Sequence, residues 1–267
     1  MAALEGPANV RELQVVSHAD PEDLPRVIPL EGASNLRDLG GWRVADGRRL
    51  RHGIIFRSAS LARLTEADVA TLAELRIRTV CDLRGEREAE YAPSRLPRSA
   101  EHVPLPIEPT VGASLRDLLA REASTGEDVV LLLGRAYIDY VTTHLGQYRR
   151  MFDLLLQPER HALLFHCSAG KDRTGLGAAL LLTALGATRE TVVADYVATD
   201  RFWRREYALP AGTPKPLADA LYGTHPHLLH AALDSAIERY GSEAALLEHG
   251  LGLDARRLTA LREMLLY

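Results

Sequence analysis

Short apolar runs and longer helical patterns alternate along most of this 267-residue chain. GIIFRS (53–58), RTVCDL (78–83) and HALLF (161–165) are compact apolar runs that predict buried strands, and VPLP (103–106) predicts a short extended piece. After Thr65, the residues Val69, Leu72, Ala73 and Leu75 recur at helical spacing. Asp68, three positions beyond Thr65, makes a short-armed capping box there. Residues 114–157 read as helices with a break near Leu145-Gly146. A helix over 173–185 ends at Gly186, and Thr188 caps another over 189–198. Two short helices follow Ser242 and Asp254. NLRDLGG (35–41) reads as a turn, Asp46-Gly47 as a hairpin between short strands, and RGEREAEYAP (84–93) as a break after its strand.

Strands alternating with helices predict an α/β fold in which helices flank a central, mostly parallel sheet. Residues 1–25 are polar, contain three prolines and predict a loose arm. No linker interrupts 26–267, so one domain is expected. Within it, 200–240 is less regular, mixing FWRREY, GTPKP and HPHLLH, and predicts an insertion packed over part of the domain.

A hydrophobic content of 46% supplies a core. The net charge of −4 gives no broad basic surface, which argues against nucleic acid as a partner. Two cysteines build no disulfide framework and fit a reducing compartment. The N-terminus lacks a signal-peptide core. The longest apolar runs, VVLLL (129–133) and AALLLTAL (178–185), fall far short of a membrane span. The expectation is a protein without membrane insertion, cytoplasmic or exported by a route that leaves no recognisable signal.

The candidate chemistry sits in HCSAGKDRTG (166–175), between a predicted strand and a predicted helix. A tight loop entering a helix points successive N–H groups into one concavity, where the helix dipole adds positive potential for a dianion. Ser168, Ala169 and Gly170 are small enough to leave those amides open. Helix starts and nearby cations lower the pKa of a thiol from about 8.5 by ~1–5 units, which predicts Cys167 as a thiolate. Arg173, in the first helical turn, can hold two phosphate oxygens in its planar fork. Thr174 can donate to the sulfur, and His166 can brace the loop. A buried, inert cysteine at a helix start would leave the consecutive charges Lys171, Asp172 and Arg173 unexplained. The loop does not fit a Walker A pattern, nor does GLG (175–177) complete a dinucleotide fingerprint.

Cys-x5-Arg followed by Thr-Gly resembles the signature of Cys-based phosphatases. The extended HCxAGKDRTG form resembles a bacterial branch, the tyrosine/serine protein phosphatase family. NLRDLGG, FRSA (56–59), CDLR (81–84) and AIERYGS (236–242) match that family in order, from about residue 30 onward. The resemblance implies hydrolysis of phosphotyrosine, and often of phosphoserine/threonine or phosphoinositides, through a cysteinyl-phosphate intermediate without a cofactor or metal. It also implies a phosphatase-like sheet with a helical lid inserted after the phosphate-loop helix. The sequence departs from the family pattern across 200–230. A primarily inositol-phosphate phosphatase, a rhodanese-type sulfurtransferase and a non-catalytic phosphate-binding module are the alternatives. Phosphorylated protein or phospholipid are the expected partners.

A leaving oxygen needs a proton. Asp82 ends a predicted strand at the edge where open α/β sheets carry ligands, and it matches the family's acid in the DLR motif. Asp172 inside the loop is the rival, and Glu86 a third choice. Catalysis is thus expected from Cys167, Arg173 and Asp82. Binding is expected from Ser168, Ala169, Gly170, Lys171, Asp172 and Thr174, with support from His166. Lys171 would suit a polyanionic substrate, or pair with Asp172 or Glu86. Arg57 is a weak binding candidate or a structural ion pair, and Asn35, Arg37 and Asp38 tie the N-terminal turn to the sheet. Phe202, Trp203 and Tyr207, beside Arg201, Arg204 and Arg205, read either as core or as a lid whose arginines attract anions. His225, His227 and His230 are close in sequence but lack converging partners for a metal. Cys81 is a buried strand residue, or a redox partner for Cys167.

Overall fold

The computed structural model describes residues 26–108, 112–119, 124–206 and 208–267; the expected N-terminal arm and Tyr207 lie outside the described residues. Six strands form one sheet: β1 (Arg26–Val27), β2 (Arg37–Asp38), β3 (Ile55–Ser58), β4 (Thr79–Asp82), β5 (Glu101–Pro104) and β6 (Leu163–His166). Their order is β1-β2-β3-β6-β4-β5. The β1/β2 and β2/β3 pairs are antiparallel, whereas β3, β6, β4 and β5 run parallel. The helices are α1 (Glu66–Glu74), α2 (Glu86–Tyr91), α3 (Gly112–Leu119), α4 (Gly126–Thr142), α5 (Leu145–Leu155), α6 (Asp172–Leu185), α7 (Arg189–Val197), α8 (Thr199–Phe202), α9 (Lys215–Tyr222), α10 (Pro226–Tyr240), α11 (Glu243–Ala245) and α12 (Ala255–Leu265).

Strand side chains alternate between the two faces. Phe56, Val80 and Leu164 enter a smaller core with Leu61, Leu64, Leu72 and Ile77, beneath α1. Ile55, Cys81, Leu163 and Phe165 point the other way, into the larger core built with α4, α5, α6 and α10. The predicted helix α6 is enclosed all round, since every residue from Arg173 to Leu185 is buried. Its C-cap Gly186 is left-handed at φ 89°, as the sequence predicts. Caps at Thr65, Thr188, Ser242 and Asp254 also form as read from sequence, the first as a complete capping box.

Four details differ. RGEREAEYAP does more than break a strand, since it contains α2. The helical break falls at His144, between α4 and α5, where Thr142 and Thr143 turn their hydroxyls back onto Ile138 and Asp139. The hairpin at Asp46-Gly47 forms, with Val44 donating to the Arg48 carbonyl, Leu50 to that of Trp42 and Gly41 to that of Leu50, and it gains a third segment that the sequence does not show, because Arg49 also pairs with the C-terminal Tyr267. The segment 200–240 is not one unit. Pro226 starts α10 instead of breaking it, since a first-turn proline has no N–H to lose. Leu229, Ala232, Leu233 and Ala236 of α10 belong to the main core, and 203–223 is the segment over the loop, itself joined to that core through Leu217 and Leu221 of α9.

Candidate active site

Strands β3, β4 and β6 end in register at one edge of the sheet: Ser58 and Asp82 both face His166. The loop 167–171 leaves β6 at that edge and turns into α6. Its backbone can be accounted for carbonyl by carbonyl. Nδ1 of His166 lies 3.1 Å from the Cys167 carbonyl. The Ser168 carbonyl accepts from the Ser60 N–H at 3.0 Å. The Ala169 carbonyl accepts from the Asn35 side chain at 3.2 Å. The Gly170 carbonyl accepts from Asn35 at 3.0 Å and from Arg57 at 2.7 Å. The Lys171 carbonyl accepts from the Gly175 N–H at 2.7 Å. Among the described residues, the N–H groups of Ser168, Ala169, Gly170 and Lys171 find no acceptor. Four adjacent unpaired donors at a helix start are an arrangement able to take an anion. Gly170 is required there: its φ is +64°, and a Cβ would lie 2.3 Å from the Ser58 carbonyl oxygen.

Cys167 is a free thiol, 2% exposed. Arg173 donates from Nη1 to Oε2 of Glu88 at 2.5 Å and from Nη2 to Oε1 at 3.1 Å. It also reaches the Ile107 carbonyl at 3.1 Å and the Ser168 hydroxyl at 3.3 Å. The guanidinium is thus fixed at the loop before any substrate arrives. Glu88, which sequence reasoning missed, accepts from the Ser168 hydroxyl as well. Burial pushes its carboxyl up, but Arg173 and Ser168 outweigh burial and hold it down at about 2. The signal was the run of glutamates after the β4 end, where Glu86 and Glu90 are indistinguishable from Glu88 by pattern.

Asp82 is 1% exposed and forked onto Arg84, at 2.6 Å from Nη2 and 2.9 Å from Nε. His102 lies 3.2 Å from its Oδ2 and His166 3.6 Å. Burial opposes ionisation, but His166, Arg84 and His102 hold the carboxyl far below the usual range. A carboxylate so pinned resists taking up a proton, which conflicts with the expectation that it serves as the acid. Asp172 differs: its side chain is 25% exposed and accepts from the Tyr137 hydroxyl at 2.8 Å. His166 is fully buried, and burial lowers its pKa against the pull of Asp82; its Nδ1 braces the loop at the Cys167 carbonyl.

Lys171 does not stand on the rim. It is 1% exposed and donates to the Leu221 and Gly223 carbonyls at 2.7 and 2.9 Å, at the C-terminal end of α9. The expectation of a cation open to polyanionic substrate is therefore corrected: the negative end of a helix dipole occupies it. The Thr174 hydroxyl is buried without a hydrogen-bond partner among the described residues, so the donation to sulfur expected of it is not made here.

The covering segment is anchored at several points. Trp203 and Tyr222 pack with Ala59 and Ala169 of the loop. Arg204 donates to the carbonyls of Leu30, Glu31 and Ala33, and Arg205 lies 4.8 Å from the Tyr222 ring centroid. These arginines tie the segment down while remaining exposed. Burial pushes the Cys81 thiol up to about 12, and Cys81 forms no disulfide. Nε2 of His225 sits 2.6 Å from the Ala220 carbonyl, inside the α9–α10 turn.

No described helix is long and apolar enough to cross a membrane. Residues 28–267 match the sequence profile of the tyrosine phosphatase family. The chain is 31% identical to the triple specificity protein phosphatase PtpB of Mycobacterium tuberculosis, over 89% of this chain and 98% of that one. It is 34% identical to a tyrosine-protein phosphatase homologue of Cupriavidus necator, over 63% of this chain and 61% of that one. It is likewise 34% identical to the tyrosine-protein phosphatase of Nostoc commune, over 52% of this chain and 46% of that one. In these last two the match spans less than two thirds of the relative's own length. By the extent of the profile match and the near full-length similarity to PtpB, the chain belongs to the tyrosine phosphatase family.

Proposed function

We propose that the protein hydrolyses phosphate monoesters, phosphotyrosine foremost, through a cysteinyl-phosphate intermediate. The observation that carries this reading is the set of four unpaired amides in the Cys167 loop, with the fixed Arg173 guanidinium beside it. Cys167 attacks phosphorus while the ester P–O bond breaks. The guanidinium and amides take up the charge of the equatorial oxygens, which is greatest in the transition state. Water then attacks the phosphorus, the S–P bond breaks, and inorganic phosphate leaves.

Asp172 is the proton donor in this reading, protonating the leaving oxygen and then accepting the proton of the attacking water. Solvent access of its carboxylate at the mouth of α6 supports that role, whereas the Arg84 fork argues against Asp82. The substrate range follows the relative called a triple specificity phosphatase. With Lys171 engaged by α9, the closed structure favours phosphoprotein over phosphoinositide as principal substrate.

Turnover of p-nitrophenyl phosphate by the wild type, with none by Cys167→Ser, tests the nucleophile. Activity with thiosulfate and cyanide in its place points to the sulfurtransferase. Phosphotyrosine peptides, phosphothreonine peptides and phosphoinositides compared side by side test the range. For the acid, Asp172→Asn slows esters of high leaving-group pKa far more than p-nitrophenyl phosphate, whereas Asp82→Asn does not discriminate; the reverse pattern returns the role to Asp82.

A further inference from the structure

Behind the loop lies a buried polar cluster that the reaction above does not use. Arg37, Arg57 and Asp195 are fully or almost fully buried, and Asn35 is 2% exposed. Asp195 is shared by both arginines: Nε of Arg37 lies 3.2 Å from Oδ1, and Nη1 of Arg57 contacts Oδ2. Arg37 also donates to the Asp195 carbonyl at 2.8 Å and contacts Oδ1 of Asn35. Burial and the neighbouring Arg57 pull Arg37 down only to about 9, so it remains charged at neutral pH. Two guanidiniums against one carboxylate leave excess positive charge, which is costly to bury and needs a reason.

The geometry supplies one. A trans peptide is planar, so a residue's carbonyl and the next residue's N–H point in opposite directions. Fixing the Ala169 carbonyl therefore aims the Gly170 N–H, and fixing the Gly170 carbonyl aims the Lys171 N–H. Asn35 holds both carbonyls, and Arg57 holds the second. Asn35 itself sits at φ 59°, a left-handed conformation that asparagine tolerates better than most residues. Its backbone N–H is tied to the Phe202 carbonyl at 3.0 Å. Arg37 fixes the orientation of the Asn35 amide by occupying its oxygen, which leaves the nitrogen for the loop.

We propose that Asn35 and Arg57 are positioning residues for oxyanion binding: they pull the loop carbonyls outward, so the amides face the phosphoryl group. Arg37 and Asp195 hold these two in place. The proposal rests on the phosphatase reading above and assigns the cluster a role in the chemistry, beyond tying the N-terminal turn to the sheet.

Asn35→Asp tests it, because aspartate keeps the left-handed backbone and the Arg37 contact but presents an acceptor to two carbonyls. The Kd for orthovanadate is measured by calorimetry, alongside kcat and KM on p-nitrophenyl phosphate and the melting temperature. The expected result is a tenfold or greater weakening of vanadate binding in a folded protein. The loss falls on kcat at least as much as on KM, since the amides serve the transition state. Arg57→Lys keeps the charge but cannot span both Asp195 and the Gly170 carbonyl. It is expected to weaken vanadate at least fivefold, and it carries the test if Asn35→Asp does not fold. A folded variant of either kind that binds vanadate within twofold of wild type overturns the positioning role and leaves the phosphatase reading intact. Failure of the wild type itself to bind vanadate overturns both.

Discussion

Replacing Lys171 by methionine keeps the length and volume of the side chain and removes its charge. In the closed structure the ammonium holds the end of α9 through two hydrogen bonds, at 2.7 and 2.9 Å, and lies 3.7 Å from Asp172. Hydrogen bonds from a charged donor contribute about 1.5–3 kcal/mol each. That figure is already net of exchange with water; because both bonds share one ammonium and opening of the segment exposes only part of its surroundings, the contribution to closure is about 1–3 kcal/mol in all. At about 1.4 kcal/mol per tenfold, Lys171→Met raises the open population of 203–223 by roughly five- to a hundredfold. Amide hydrogen exchange reads this directly, because exchange from a rapidly reclosing segment follows the open population. The amides of Leu217, Ala218 and Gly223, which close hydrogen bonds within α9, are the reporters. They are expected to exchange faster by that factor, while amides of α6 do not change. Cys167, 2% exposed beneath this cover, becomes correspondingly easier to alkylate. Unchanged exchange in α9, with global stability intact, refutes the clip. Equal acceleration in α6 shows general destabilisation instead.

Three further outcomes follow from the same geometry. Gly170→Ala combines a left-handed φ with a Cβ 2.3 Å from a backbone oxygen, so it is expected to lose phosphate and vanadate binding and lower the melting temperature by several degrees. Asp82→Asn leaves the Arg84 guanidinium buried without its anion and is expected to cost about 3–5 kcal/mol in urea unfolding; a loss below about 1 kcal/mol refutes the structural role. The Glu88 carboxyl is held down at about 2 from 4.5. A lowered folded-state pKa stabilises above the unfolded value and loses that stabilisation as pH falls, here between pH 4.5 and about 2. Wild type and Glu88→Gln are therefore expected to converge in stability across that window, by up to about 3 kcal/mol, as read by urea titrations at successive pH values.

The strand cores, the capped helices and the loop were legible because each is set by residues close in sequence. Thr65 and Asp68 are three apart, and the Cys167–Arg173 loop is one contiguous piece. What was not legible depends on pairings across the chain. Lys171 and Asp172 are adjacent, which made a local ion pair the natural alternative to substrate binding. That pair is present at 3.7 Å, but the hydrogen-bond acceptors of the ammonium lie 50 and 52 residues on, on a helix whose pattern was obscured by neighbouring prolines. Glu88 reaches Arg173 across 85 residues from a segment read as a break. Asp82 stands where a catalytic acid would stand, and only the fork of Arg84, two residues away, shows it held as an anion.

These partnerships bear on how a substrate enters. Arg173 already holds a carboxylate, Lys171 holds the cover, and Arg57 faces the back of the loop, so none of these three cations is solvent-exposed and waiting. The net charge of −4 gives no overall field that would steer anions from a distance. If 203–223 lifts to admit substrate, selectivity falls to the unpaired amides, which reward an oxyanion once water has been displaced from them. A preorganised cup loses little energy in reordering when the phosphoryl group arrives. The cost is moved to the opening of 203–223. If that opening limits turnover, loosening the Lys171 clip raises kcat/KM for a bulky phosphopeptide more than for p-nitrophenyl phosphate. A ratio unchanged between the two substrates refutes gating by this segment, whatever the exchange rates show.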